Sequence, residues 1–326
     1  GVDWMKKIWL IHTGGTIAMA DHGSKNGIQI SERHPLDLFQ TELQAAASIT
    51  VEQFSSLPSP HIGPETILDL SNHIRKRLAS EEFDGIVITH GTDTLEETAY
   101  MLDLLKPCRQ PIVLTGAMKS SNEWGADGPN NVLSAIRVAA SLEANDSGAV
   151  VVMNDEIHAA KYVTKVHASS VAAFESPLIG PIGIVTKKDV LFFNHLKREI
   201  SIPVQKLEKR VHLLKLYSGI EEEVLNHIEK MQLDGLVVEA FGLGNVPPIL
   251  VPFFKRFMDR QISVVLVSRS LKGIVQGVYG YEGGGKQLED LGVIFAKGLT
   301  GQKARIKLLL ALHQTNAFDE LKRMFE

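Results

Sequence analysis

One cysteine, Cys108, stands in a chain of 326 residues. A lone thiol excludes an intrachain disulfide, and without partner cysteines it excludes a thiolate zinc site of the structural kind. Such a sequence suits a reducing interior. Positive charge is not in excess either: 34 Lys and Arg face 38 Asp and Glu, so nothing here attracts nucleic acid. No apolar run approaches the ~18 residues of a membrane span. The amino terminus lacks the basic, apolar and small-residue succession of a secretory signal. The expected location is therefore the cytoplasm, with a processed secreted chain as the alternative. Phosphate cradles are missing too. No Gly-x-x-x-x-Gly-Lys-Ser/Thr occurs, and no Gly-x-Gly-x-x-Gly follows the first strand. A nucleotide site would rest on Gly242-Leu243-Gly244 alone, which is weak. No cofactor and no metal are expected.

What is present is a rhythm. Short β-branched runs alternate with longer segments of helical spacing, the pattern of a parallel α/β sheet. The expected strands are Ile8–His12, Gly85–His90, Pro111–Thr115 and Ala149–Asn154. Between them lie expected helices at Glu65–Leu78, Asp93–Leu105 and Pro129–Leu142. The strands are apolar nearly throughout, as required when helices cover both faces. After Asn154 the pairing changes character, and Tyr162–Val166 and Ile182–Phe193 read as short antiparallel pieces. The spacing predicts a catalytic α/β domain over 5–194, a polar linker over 195–209 and a smaller α/β domain over 210–326. Within the last, strands are expected at Val211–Tyr217, Gly235–Ala240 and Ile262–Val267, with helices near Glu222–Met231, Ile249–Arg260 and Gln302–His313.

Ligands of open parallel sheets bind beyond the carboxyl ends of the strands, where the strand order reverses. Two segments fit that place. The first strand runs into Thr13-Gly14-Gly15-Thr16, and a later one runs into His90-Gly91-Thr92-Asp93-Thr94. Glycines at 14 and 15 allow positive φ and a close approach of backbone amides to a ligand. Those amides suit an oxyanion, and a hydroxyl just beyond them is placed for acyl transfer. Each turn alone reads more simply. Gly-Gly-Thr is usually a tight turn, Thr92 and Asp93 are ordinary helix caps, and His90 is more often a packed histidine than a catalyst.

The two turns together carry more. Thr13-Gly14-Gly15-Thr16-Ile17-Ala18 with Ile88-Thr89-His90-Gly91-Thr92-Asp93-Thr94 strongly resembles the bacterial L-asparaginases. Leu114-Thr115-Gly116-Ala117-Met118-Lys119, Gly125-Ala126-Asp127-Gly128-Pro129-Asn130, and Val151-Val152-Met153-Asn154-Asp155 with Val163-Thr164-Lys165 extend the likeness. It thins after about residue 180, where Phe241-Gly242-Leu243-Gly244-Asn245 and Gln302-Lys303-Ala304-Arg305 are still similar. The resemblance implies a larger flavodoxin-like domain followed by a smaller α/β domain, and hydrolysis of an amino-acid side-chain amide with release of ammonia. It implies Thr16 as the acyl-forming nucleophile, and Thr92, Asp93 and Lys165 as a second catalytic group. Gly15, Ser59, Asp93 and Ala117 are implied in substrate binding. Glu282 would reach the site of a neighbouring subunit in a homodimer or homotetramer. Without the resemblance Lys165 would read as a solvated surface lysine. Zwitterionic asparagine needs an anion for its ammonium and donors for its carboxylate, and Asp93 and Ser59 with loop amides could supply them. Thr92 and Lys165 read as a relay that orients water or passes protons, since Asp93 beside Lys165 works against a free amine base.

Two positions depart from that pattern. No tyrosine occurs between Thr16 and Ser59, where family members commonly place one on a loop over the nucleophile. The loop Asp21–Ile28 offers His22 and Ser24 instead, and its glycines suit a lid. Pro60 and His61 follow Ser59 in place of the Gln-Asp of the periplasmic branch. Two other functions stay open at this stage: the glutaminase subunit of an amidotransferase, and a non-catalytic amino-acid-binding module. The intact Thr16, Thr92, Asp93 and Lys165 set speaks against the second. A hydrocarbon pocket distinguishes one methylene by only about 1–3 kcal/mol, so asparagine and glutamine are not separated by sequence.

Overall fold

The computed structural model describes residues 5–22, 27–30 and 34–326. The chain divides into two compact units, Gly1–Ser201 and Ile202–Glu326. In the first, the strands are β1 (Lys7–His12), β2 (Met19–Asp21), β3 (Ile28–Ile30), β4 (Ser48–Gln53), β5 (Gly85–Thr89) and β6 (Ile112–Thr115). They continue as β7 (Ala149–Met153), β8 (Glu156–Ala159), β9 (Thr164–Lys165), β10 (Phe174–Glu175), β11 (Gly183–Val185) and β12 (Val190–Phe192). Among the described residues α-helices α1 (Gln40–Ala46), α2 (Pro64–Leu78), α3 (Leu95–Leu105) and α4 (Gly128–Ala140) accompany them.

The main sheet runs β12-β11-β8-β7-β6-β5-β1-β4. Its five parallel strands give the flavodoxin-like order 2-1-3-4-5, in which the chain reverses direction across the sheet between β1 and β5. The register decides where the site lies. His12 pairs with both Gln53 and Thr89, and Thr89 pairs with Thr115, so four strands end level. The segments that follow them share one rim. β5, β6 and β7 are buried at every residue because helices cover both faces. Ile8, Leu10, Val87, Val113 and Val150 pack with Val132, Ala135 and Ile136 of α4 and Leu43 of α1. Helix α3 contacts β6 and β7 from the other face and packs on α2. β5, β6 and β7 advance in one direction while their two connecting helices lie on opposite faces, so one of these crossovers is left-handed, against the ~98% preference. The β6–α4 connection leaves from the same carboxyl rim, and Gly128 at its end lies against Ile17, just beyond the turn that follows β1.

Asn154 and Asp155 have φ of 51° and 61° and form a two-residue hairpin between β7 and antiparallel β8. This is the change of pairing that the sequence announces after Asn154. The second unit holds four parallel strands in simple order, β13 (Val211–Lys215), β14 (Gly235–Ala240), β15 (Ser263–Ser268) and β16 (Ile294–Phe295). Its helices are α5 (Glu222–Lys230), α6 (Leu250–Asp259), α7 (Gly285–Leu291), α8 (Gly301–Ala311) and α9 (Phe318–Phe325). Residues 195–209 contain no helix or strand, yet they are anchored. Glu199 accepts from Tyr100 and Lys161, and Ile202 and Val204 are buried in the second unit.

Burial of Asp103 on α3 pushes its carboxyl up to about 6, although it accepts from the Ala149 amide at 3.0 Å. The folded state then holds a proton that the unfolded chain has lost, so stability falls as pH rises from about 4 through 6. Asp103→Asn keeps an acceptor for Ala149 and carries no charge. It is expected to gain on the order of 2 kcal/mol over the wild type at pH 7.5 and little at pH 4, read by urea denaturation at both.

Candidate active site

At the carboxyl rim the backbone itself brings the turns together. Gly14 and Gly15 have φ of 118° and 86°, conformations that L side chains rarely adopt. A Cβ on Gly15 would lie 2.3 Å from the Cα of Gly91, and one on Gly91 would lie 2.7 Å from Ser59 Oγ. The turns after β1 and β5 therefore meet backbone to backbone, and Ser59, in the segment after β4, packs its side chain on Gly91. Thr16 and Thr92, each one residue beyond a touching glycine, are delivered to the same rim. The Thr13 amide and hydroxyl both donate to Thr89 O, at 3.1 and 2.7 Å, and Leu57 N donates to Thr13 O at 3.0 Å. Thr16 opens a short 3-10 turn, Thr16–Ala18, and is half-buried.

Gly91→Ala is a steric test of this convergence, because its Cβ has no room beside Ser59. The substitution is expected to cost about 2–3 kcal/mol of stability, measured by chemical denaturation, against less than about 1 kcal/mol for Gly280→Ser, where a Cβ meets open space at an ordinary φ.

Thr92 and Asp93 do not cap the helix that follows them. Helix α3 begins at Leu95, two residues after the expected start, and its cap residue Thr94 sends its hydroxyl to Ser59 O at 2.8 Å. Thr92 and Asp93 turn instead to Lys165. The Lys165 Nζ donates to Thr92 Oγ1 at 2.9 Å and to Asp93 Oδ1 at 2.8 Å. The lysine is largely covered, at 14% side-chain exposure, whereas Asp93 is 60% exposed. Three of the sequence-selected residues are thus one hydrogen-bonded cluster, and Lys165 is no solvated surface lysine. Thr92 and Ser59 are buried.

Ala117, also buried, follows β6 on the same rim. Gly116 packs against His90 O, where a Cβ would stand 2.4 Å away. The turn is held by two residues whose motifs imply no role for them. Asp127 accepts from the amides of Met118 and Lys119, at 3.0 Å each, and Asn131 Nδ2 donates to Gly116 O at 2.9 Å. Nothing in spacing marks them, because their partners are backbone groups brought near by the β6–α4 crossover. Glu96 was missed for the same reason. It is buried, and its Oε1 accepts from Thr164 Oγ1 at 2.9 Å and from the Lys165 amide at 3.1 Å. His90 is a packed histidine: its ring nitrogens engage Gly91 O and the Thr98 hydroxyl, both at 2.8 Å, and burial lowers its pKa to about 4. It is neutral at physiological pH and holds the turn.

The remaining sites fall elsewhere. Glu282 is exposed in the second unit, in the segment before α7. His22 is exposed, and its amide donates to Gly27 O at 3.2 Å. Ser24 lies outside the described residues. Among the described residues no group of three or more His, Cys, Asp or Glu is placed to hold a metal ion. No helix among them is long and apolar enough to cross a membrane.

The family model described as "Asparaginase, N-terminal" matches residues 7–198, and "Glutaminase/Asparaginase C-terminal domain" matches 210–325. The chain belongs to the asparaginase family. It is similar to a probable L-asparaginase of Deinococcus radiodurans, with 38% identity covering 98% of this chain and 97% of that protein. An L-asparaginase of Bacillus licheniformis is 32% identical over 94% of this chain and 95% of its own. The crystal structure of a probable cytoplasmic L-asparaginase from Campylobacter jejuni superimposes with a TM-score of 0.86, covering 98% and 99% of the two chains at 32% identity. Both units have counterparts in the family, which accounts for the asparaginase fold of a larger, mostly parallel sheet unit and a smaller α/β unit.

Proposed function

We propose that the protein hydrolyses L-asparagine to L-aspartate and ammonia, with Thr16 as nucleophile and a β-aspartyl ester on its hydroxyl as intermediate. The observation that carries this reading is the Thr92–Lys165–Asp93 cluster set beside the contact of Gly15 with Gly91. In the first step Thr16 Oγ bonds to the side-chain carbonyl carbon, backbone amides of the glycine turn hold the oxyanion, and the C–N bond breaks as nitrogen gains a proton and leaves as ammonia. In the second step water oxygen bonds to the ester carbon, the bond from that carbon to Thr16 Oγ breaks, L-aspartate leaves and a proton from the water returns to Thr16. Thr92 with Lys165 orients that water and passes protons. The substrate ammonium is drawn to Asp93, which is exposed enough to be reached, and its carboxylate to Ser59 and adjacent amides. Buried Ala117 closes the wall behind the amide.

L-Glutamine is a secondary substrate in this reading, slower by about 10–200-fold in kcat/KM because only a methylene separates the two. The protein works in the cytoplasm as a homodimer or homotetramer, in which Glu282 of a neighbouring copy adds a second anion for the substrate ammonium. Ammonia release from L-asparagine, L-glutamine and their D-forms tests the reading. Turnover of L-asparagine by the purified protein is expected, and none with any of the four would overturn it. Light scattering with Glu282→Gln kinetics tests the assembly.

A further inference from the structure

Lys165 sits on a strand too short to hold it. β9 is two residues long and pairs only with the two residues of β10. The Val166 amide continues that pairing by donating to Ala173 O at 2.7 Å, so the Lys165 amide points the opposite way, off the free edge. Among the described residues no strand meets it there. The carboxylate of Glu96 does, taking the Lys165 amide at 3.1 Å and the Thr164 hydroxyl at 2.9 Å on a single oxygen, Oε1. It stands where the carbonyl of a third strand would stand.

Helix α3 supplies this acceptor, and the same helix begins two residues after Asp93. One turn further along the same face, Tyr100 donates to Glu199 Oε2 at 2.9 Å, and Glu199 Oε1 takes Lys161 at 2.7 Å. The segment 161–165 is thus tied to α3 at both ends. Thr92 and Lys165 are distant in sequence, and their mutual distance is set through the first turns of α3.

We propose that Glu96 is a positioning residue for the reaction: its carboxylate fixes the backbone of Thr164–Lys165 so that Lys165 Nζ meets Thr92 Oγ1 and Asp93 Oδ1. The proposal rests on the reading that Lys165 serves asparagine hydrolysis. Catalytic groups tolerate little displacement, since about 1 Å costs on the order of 100-fold in rate. The burial of a carboxylate is also costly unless the bonds it accepts are kept, which makes the arrangement fixed rather than adjustable.

Glu96→Ala is expected to lower kcat for L-asparagine about 10–100-fold with KM changed by less than about threefold. Glu96→Gln keeps an oxygen at the same place and is expected to restore kcat to within about fivefold of the wild type. Loss in Glu96→Gln as deep as in Glu96→Ala would overturn the acceptor role, even should the alanine variant fold poorly. The deciding measurement is a double-mutant cycle. In a Lys165→Met background Glu96→Ala is expected to lower kcat by less than about twofold more, because the group it positions is gone. Full additivity there would assign Glu96 to general stability and sink the proposal. Should Lys165→Met leave kcat unchanged, the functional reading fails at its base; should Lys165→Met be damaging while Glu96→Ala is not, only the positioning role fails.

Discussion

Replacing Thr16 with alanine is expected to lower kcat/KM for L-asparagine by at least about a thousandfold, with unchanged fold and thermal midpoint. The expectation follows from where the residue stands. Gly14 and Gly15 hold φ values that other residues avoid, and Gly15 lies so close to Gly91 that neither turn can shift alone. Thr16 is half-buried at the mouth of that contact, so loss of its hydroxyl leaves the backbone in place. In the proposed mechanism the loss is that of the bond-forming oxygen, and the residual rate expected is that of the amides acting on substrate and water. Thr16→Ser retains the oxygen and loses one methyl, so kcat within about tenfold of the wild type is expected. Steady-state ammonia release measures both. Comparable rates for Thr16→Ala and wild type would remove Thr16 from the chemistry.

The parts of this fold that sequence discloses are those written in short-range periodicity. β5 and β7 are buried at every residue, so their apolar runs stand out, and α2 follows its helical spacing from Pro64 to Leu78. β4 was missed because it is an edge strand: Val51 is 51% exposed, and Ser48-Ile49-Thr50-Val51-Glu52-Gln53 has no continuous apolar stretch. The start of α3 lies two residues beyond the expected Asp93, while its end at Leu105 agrees, because Thr92 and Asp93, which look like caps, bond across the rim to Lys165 instead. The candidate site shows the same division. Thr16, Thr92 and Asp93 follow strands directly, so motif and position coincide. Glu96, Asp127 and Asn131 act on backbone groups of other segments, and a helix residue aimed at a distant amide leaves no mark on its own spacing.

The second large effect is expected at Lys165. Its ion pair with Asp93 is worth little as stability, since Asp93 is 60% exposed and solvent screens such pairs to roughly 0–1 kcal/mol. Lys165→Met, similar in length and apolar, should therefore leave the thermal midpoint nearly unchanged. Its kinetic effect should be far larger. Without the ammonium, Thr92 Oγ1 loses a donor 2.9 Å away and Asp93 keeps an uncompensated charge beside the place of reaction. A fall in kcat of about 100–1,000-fold is expected, of the size that proton transfer by a positioned group contributes. If Lys165 serves the second step, the ester on Thr16 should accumulate in this variant, visible by mass spectrometry as a β-aspartyl adduct absent from a Thr16→Ala, Lys165→Met double variant. If it serves the first step, no adduct builds up and the loss lies wholly in acylation. Lys165→Arg should not rescue either step, because a planar fork cannot place one donor on both Thr92 Oγ1 and Asp93 Oδ1 in the space a compact ammonium fills. A kcat within threefold of wild type for Lys165→Met would leave the Thr92–Lys165–Asp93 cluster as a structural tie and would move the search for the proton path to the loop beyond Thr16.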